Sequence, residues 1–505
     1  MKDIYLYVVP EKFEFDVYTL TKFFFPYINV ERKKGDECTL YKAYSGNEDS
    51  IFVSIKQNAL RFAMKKGEVF FKDTDKNVQF SSTDMDVESV QFKYEMQLAL
   101  YSCFVDATGR ELPWGNLTGI RPTKLIMSAL NDQSEKLNLP PDNKEVRENV
   151  FSILHNKHRI SNEKYELGAD IALREDKLIR SLSGKEGYSV YIGIPFCPST
   201  CLYCSFTSYP IIKFKDKVGA YIEALAKELT FVGQTMKGKK LDTIYIGGGT
   251  PSSISADMLD RLLYKVVSIL DTSNLKEFTV EAGRPDSITA DKLRTIKKYP
   301  VNRISVNPQT MNDETLRLIG RNHNAKQMEE AFLLARSEGF DNINTDMILG
   351  LPGEDLDNII YTLERIGKLG PDSLTVHSLA IKRASKLREW MEEHDAIGKL
   401  NTDEAMAICV DKAKELGMKP YYLYRQKNMA GNLENTGFAK DGKYGLYNIL
   451  IMEEVQSIIA CGAGTVSKRV YPDGHIERCD TVKDVDLYIS KIEEMIERKR
   501  RLFKD

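Results

Sequence analysis

Between residues 188 and 381, short runs rich in β-branched and aromatic residues alternate with longer segments of helical periodicity, and nothing else in the chain constrains its fold as tightly. The strand candidates are SVYIGIPF (189–196), DTIYIGGG (242–249), EFTVEAG (277–283), RISVNPQ (303–309), INTDMILGLP (343–352) and SLTVHSLAI (373–381). Between them, stretches such as VGAYIEALAKELTFVGQTM and EDLDNIIYTLERIGKLG repeat apolar residues at three- and four-residue spacing. A parallel neighbour needs a crossover connection, so this alternation predicts βα units and a parallel sheet. Six units in series suit either an open doubly wound sheet or a barrel, and strand count alone leaves both open.

The flanks read differently. Residues 1–110 carry the strand-like pieces DIYLYVV and SIFVSIK and the aromatic run FFFPYI, which suggest a separate small α/β module. Residues 111–185, with WGNLTGIRPTK (114–124) at their start and a break at Leu139-Pro140-Pro141-Asp142, read as a helical connection. The core then occupies 186–400, and 401–505 form a C-terminal α+β domain that ends in a basic helix. At 505 residues the chain exceeds a single hydrophobic core. A net charge of -2, from 71 basic and 73 acidic side chains, gives no electrostatic reason to expect nucleic acid or an anionic bilayer as partner. MKDIYLYVVPEKFEFD lacks the basic and apolar regions of a signal peptide and no run reaches transmembrane length, so a cytoplasmic location is expected.

Eight cysteines are too few for a disulfide framework, and Cys38, Cys103, Cys409, Cys461 and Cys479 are scattered as small buried hydrophobes are. Cys197-Pro-Ser-Thr-Cys201-Leu-Tyr-Cys204 is different: three thiols within eight residues, directly after the first strand of the alternating region. A structural zinc site wants four ligands, and no second cysteine pair or suitable histidine lies nearby in sequence. A 4Fe-4S cluster held by three cysteines keeps one iron open for a ligand. This C-x3-C-x2-C spacing, with Tyr203 before the last cysteine, resembles the signature of radical S-adenosylmethionine (SAM) proteins. There SAM chelates the open iron, and one electron cleaves it to methionine and a 5'-deoxyadenosyl radical.

The second strand ends in Gly247-Gly248-Gly249-Thr250-Pro251, without the lysine of a P-loop or the spacing of a dinucleotide fingerprint. Consecutive glycines allow close backbone approach to a ligand, or simply a tight strand-to-helix turn. Glu281, Gln309, Asp346 and His377 fall near the C-terminal ends of four successive strands, the edge where βα barrels build active sites. For His377, a substrate contact and packing are equally compatible with the pattern.

YIGIPFCPSTCLYCSF, YIGGGTPSS, FTVEAGRPD, RISVNPQTMNDETLRLIGR, NTDMILGLPGE and YYLYRQKNMAGNLENTGFA together resemble the oxygen-independent coproporphyrinogen III oxidase family, most closely its HemZ-type branch, over about residues 186–465. The resemblance implies an α/β fold with a partial (β/α)6, TIM-like barrel, and a C-terminal domain closing the substrate site. It implies that Cys197, Cys201 and Cys204 hold the cluster, and that Tyr203, Phe206, Gly248, Gly249, Thr250, Glu281, Gln309, Arg321 and Asp346 surround the cofactors. The implied reaction converts two propionates of coproporphyrinogen III to vinyls with loss of carbon dioxide, using electrons from a donor such as flavodoxin or ferredoxin. A substrate with four carboxylates calls for cations, and Arg121, Lys382, Arg383, Arg425 and Lys427 are the candidates. Tyr421, Tyr422 and Tyr424 either face the tetrapyrrole or fill core.

Phe206 stands where the oxidase motif has a fourth cysteine, as it does in the related haem chaperones. The chaperones' His-Asn pair is here Tyr447-Asn448, without the tryptophan that follows it there. A third branch modifies haem by radical methyl transfer, and the motifs are compatible with it.

Overall fold

The computed structural model describes residues 3–25, 28–46, 49–56, 59–65, 74–79, 90–119, 121–380, 386–394, 402–425 and 433–504. At the N-terminal end, β1 (Asp3–Val9), β2 (Asn29–Lys33), β3 (Ser50–Lys56), β4 (Ala59–Lys65) and β5 (Thr74–Gln79) make a sheet in the order β2-β1-β3-β4-β5. The first three strands are parallel and the last two antiparallel. The helices Glu14–Phe24 and Val90–Thr108 contribute to its core, where the rings of Phe24 and Phe104 stack 4.9 Å apart.

Three helices follow, Pro122–Leu137, Lys144–His158 and Asn162–Ile179, with the Pro140-Pro141 break between the first two. Their own apolar core includes the fully buried Trp114.

The central sheet contains β6 (Gly187–Ile194), β9 (Lys240–Gly248), β10 (Glu277–Gly283), β11 (Arg303–Val306), β12 (Ile343–Leu349) and β13 (Ser373–Ser378), adjacent in that order and all parallel. The two-residue strands β7 (Phe196–Cys197) and β8 (Tyr209–Pro210) pair with each other beyond the end of β6. Helices join the strands, so the six predicted βα units are present as a partial barrel layout. Burial on both faces is why these strands read as unbroken apolar runs; all four residues of β11 are buried. Local signals agree with the crossovers. Helix Leu356–Leu369 starts at a capping box of Asp355 and Asn358, buries Ile359, Leu363 and Ile366 along one face, and stops at Gly370 in the left-handed region.

Among the described residues the barrel strands do not close on themselves. β15 (Asn435–Ala439) joins β13 antiparallel, and β14 (Lys419–Tyr424) joins β15. At the other edge β16 (Ser457–Cys461) runs parallel to β6 and is followed by β17 (Val466–Val470) and β18 (Ile476–Asp480). Several barrel strands end up to three residues sooner than the apolar pattern suggests. The continuous ladder of β11 stops at Val306, Gln309 at φ 67° keeps only an isolated bridge to Met347, and Gly350 turns out at φ 86°.

Charged anchors tie the helical region to the C-terminal part of the chain, between residues 434 and 454. Glu434, fully buried, accepts from the Trp114 indole at 2.7 Å and from Lys164 at 2.8 Å. Arg121 pairs with Glu454 at 2.6 Å, and the Lys124 ammonium donates to the Glu453 carbonyl. WGNLTGIRPTK is therefore a strap across the barrel's flank.

Candidate active site

The parallel strands share one C-terminal edge, and the loops leaving it enclose a cavity of about 270 Å³. Cys197, Cys201, Tyr203, Cys204, Phe206, Gly248, Gly249, Thr250, Glu281, Gln309, Arg321, Asp346 and His377 all line it. Residues from five strand ends and the cysteine loop thus meet around one space. A larger hollow of about 510 Å³, walled by Tyr188, Tyr471 and Phe503, lies at the opposite end of the strands and contains none of these groups.

The cysteine loop is pinned at its middle, where Leu202 N–H donates to the Ile319 carbonyl at 3.0 Å and Ser199 Oγ to the Gly320 carbonyl at 2.9 Å. Each sulfur has a side-chain neighbour. Thr250 Oγ1 lies 3.5 Å from Cys197, Ser208 Oγ 3.9 Å from Cys204, and Arg284 Nη1 3.8 Å from Cys201. Burial pushes the Cys197 thiol up to about 11 and the Cys204 thiol upward too, so both need an electrophile to be held as thiolates. The glycines beside them make room: a Cβ on Gly249 would stand 2.7 Å from the Phe196 carbonyl and 3.0 Å from Cys197 Sγ, and Gly248 sits at φ 104°.

Opposite the sulfurs stand two acids in different states. Burial pushes the Glu281 carboxyl up to about 7, although the Tyr245 hydroxyl donates to it at 2.5 Å. Burial would raise Asp346 as well, but His377, 3.8 Å away, and Asn344, which donates at 2.6 Å, hold it below its ordinary range. Arg321, 6% exposed, donates to the Asn307 carbonyl at 2.5 Å. Arg321 Nε, Gln309 Oε1 and Asn307 Oδ1 are buried on the cavity lining without a protein partner. Buried polar atoms of this kind are completed by a ligand or water. Three thiols without a fourth cysteine on the same lining, where the one histidine, His377, faces Asp346, stand beside unpaired donors and acceptors and fit a cluster with one open iron and a polar molecule bound to it.

Other candidates lie elsewhere. Arg121 is engaged by Glu454 on the flank. Arg425, 4% exposed, donates to the carbonyls of Leu117 and Gly119 and lies over the Trp114 and Phe23 rings, with no place on the cavity lining. Their charges are spent on the strap, a use that becomes visible only once residues some 300 positions apart are brought together. Lys382, Arg383 and Lys427 fall outside the described residues. Tyr421 and Tyr422 are core, while Tyr424 lines the cavity. Phe206 is 71% exposed at the rim. Sequence reasoning missed Arg284, and also a stack of Tyr191, Tyr245 and Tyr447 in which the last two rings are 4.6 Å apart. The arginine in EAGRPD was the available signal.

The Radical SAM superfamily model matches residues 191–366, the stretch that carries this site, and its members use a 4Fe-4S cluster and SAM. The chain is 39% identical over 487 residues to the oxygen-independent coproporphyrinogen-III oxidase-like protein HemZ of Bacillus subtilis (strain 168), covering 94% of each. It therefore belongs to the oxygen-independent coproporphyrinogen-III oxidase-like family of radical SAM proteins. It is also 33% identical over 283 residues to the heme chaperone HemW of the same organism, across 55% of this chain and 69% of that one. Among solved structures, coproporphyrinogen III oxidase (HemN) from Escherichia coli shares the fold, with a TM-score of 0.51 at 19% identity over 63% of this chain and 72% of that one.

Proposed function

We propose that the chain is a cytoplasmic, oxygen-independent oxidoreductase that oxidatively decarboxylates propionate side chains of coproporphyrinogen III to vinyls, drawing the electron for each SAM cleavage from a flavodoxin- or ferredoxin-type donor and passing the electron released with carbon dioxide to a one-electron acceptor. The observation that carries this reading is the convergence of Cys197, Cys201 and Cys204 with Gly249, Glu281, Gln309, Arg321 and Asp346 on one cavity. When bound, the cluster and SAM supply single-electron reduction and a hydrogen-abstracting radical. Cys197, Cys201 and Cys204 would hold the cluster as thiolates, with no fourth cysteine to occupy the position SAM would take. Gly248 and Gly249 let the backbone approach it, Glu281 and Asp346 offer carboxylates to its cationic end, and Arg321 and Gln309 offer Nε and Oε1 to its polar groups. His377, Tyr424 and the exposed Phe206 line the same cavity, and beyond the cofactor contacts they are proposed to face the tetrapyrrole. Lys382, Arg383 and Lys427, close in sequence to the lining residues Ala380 and Tyr424, are proposed to meet its carboxylates.

A haem-chaperone role is the second reading, favoured by the likeness to HemW and by Phe206. Against it, Tyr447 is buried and stacked on Tyr245, and offers no imidazole for haem iron. An anaerobic assay with SAM and a strong reductant, offering coproporphyrinogen III and haem separately, decides between the readings. Loss of one or two carboxyl groups from coproporphyrinogen, matched by 5'-deoxyadenosine, is expected. Stoichiometric haem binding with untouched coproporphyrinogen would transfer the proposal to the chaperone, and a methylated haem product to the methyltransferases.

A further inference from the structure

Arg284 is a buried cation that the roles above leave unused. It follows β10 directly and is 3% exposed. Its guanidinium is fixed along two edges. Nε and Nη2 grip the Asp286 carboxylate at 3.0 and 2.7 Å, while Nη1 donates to the Ser199 carbonyl at 3.0 Å and to the Ser199 hydroxyl at 2.8 Å. From that position Nη1 reaches Cys201 Sγ at 3.8 Å. The hydroxyls of Thr250 and Ser208 stand by the other two sulfurs, so the cluster's environment is lopsided and the Cys201 corner carries the positive charge. Arg321 and Tyr203 face this sulfur as well. A bidentate ion pair holds a planar guanidinium in one orientation, and this one is aimed at a sulfur rather than at open cavity.

We infer that Arg284 is a positioning residue that raises the reduction potential of the cluster through Cys201, and that Asp286 tempers it; this rests on the reading that Cys197, Cys201 and Cys204 hold the cluster. The physical reason is charge. Reduction places one more electron on the cluster and its thiolates. A fixed cation and an N–H···S contact in a low-dielectric site stabilise that extra charge more than they stabilise the oxidised state. Asp286 keeps Arg284 oriented and cancels part of its field. Removing the cation and removing its counter-ion therefore push the potential in opposite directions, which a merely structural pair does not do.

The test uses the full chain, reconstituted anaerobically with iron and sulfide, as wild type, R284Q, R284K and D286N. Iron and sulfide content are measured first, and the cluster is then titrated against mediators while its EPR signal is followed. At the wild-type midpoint, R284Q should lower the reduced-to-oxidised ratio about tenfold, which is about 59 mV for a one-electron couple. R284K should recover part of that shift, and D286N should move the ratio the other way. If R284Q fails to load iron, the opposed shifts of R284K and D286N relative to wild type carry the decision. Loaded variants whose potentials do not move, or move in the same direction, overturn the inference alone. Wild-type protein that takes up no 4Fe-4S cluster overturns the reading beneath it as well.

Discussion

Beneath the C-terminal helix, Lys499 and Glu228 bury their charges against each other, whereas around the barrel mouth Arg321, Gln309 and Asn307 bury polar atoms against no protein partner at all. The first network is closed. Both side chains are fully buried, and the second carboxylate oxygen of Glu228 accepts from the Tyr488 hydroxyl at 2.6 Å and the Gly462 amide at 2.8 Å. The second set is open, and it lies beside three thiols. Orphaned atoms occur elsewhere too, at Glu175 Oε1, Glu453 Oε1 and both ring nitrogens of His323, and none of these residues is on the cavity lining. One network joins helix Val218–Thr235 to the C-terminal helix Ile492–Phe503, and the other is proposed to take its partners from the cofactors.

The comparison breaks if variants in the two regions fail in the same way. The largest effect is expected at the sulfurs: C204A should take up no stable 4Fe-4S cluster, with iron at background and SAM cleavage abolished. Next comes K499M, which strands the Glu228 carboxylate in the core. A loss of about 3–5 kcal/mol is expected, read as a lower thermal midpoint, while the surviving folded protein still loads iron.

Glu281 sharpens the contrast through pH. In the free protein its carboxyl titrates near 7, above the ordinary 4.5, so the folded state prefers the proton. Its contribution to stability is therefore full below about 4.5 and is lost as pH rises through 7. SAM, a cation, wants the carboxylate, so its affinity should do the reverse. Isothermal titration should show it strengthening from pH 6 to pH 8, with about a tenfold loss per unit below the titration point. E281Q should flatten that profile. The smallest change in fold is expected at Phe206: F206A should leave the thermal midpoint nearly unmoved, within about 0.5 kcal/mol, but raise the KM for the tetrapyrrole several-fold.

These effects also mark what could be read in the chain beforehand. Doubly buried parallel strands write unbroken runs such as SVYIGI and TIYIGG, and helices between them write a 3.6-residue stripe, so the six βα units were legible. Three cysteines within eight residues are a local pattern and were equally plain. Pairings across the chain were not. Arg284 meets Ser199 and Cys201, 85 and 83 positions earlier, and although EAGRPD marks it as close to a strand end, the motif does not tell which groups it reaches. The same holds for Arg425 and Arg121, whose buried partners turn apparent substrate cations into anchors. Strand ends were blurred because the strand-like pattern runs on past Val306 and Leu349, where Gln309 keeps only an isolated bridge to Met347 and Gly350 has turned out of the ladder.

The most direct measurement is EPR of the anaerobically reconstituted, reduced protein with and without SAM. About four irons per chain and a reduced-cluster signal that changes on adding SAM are predicted, because one iron is held open for it. A zinc-filled or iron-free protein, or a cluster signal indifferent to SAM, would contradict the account.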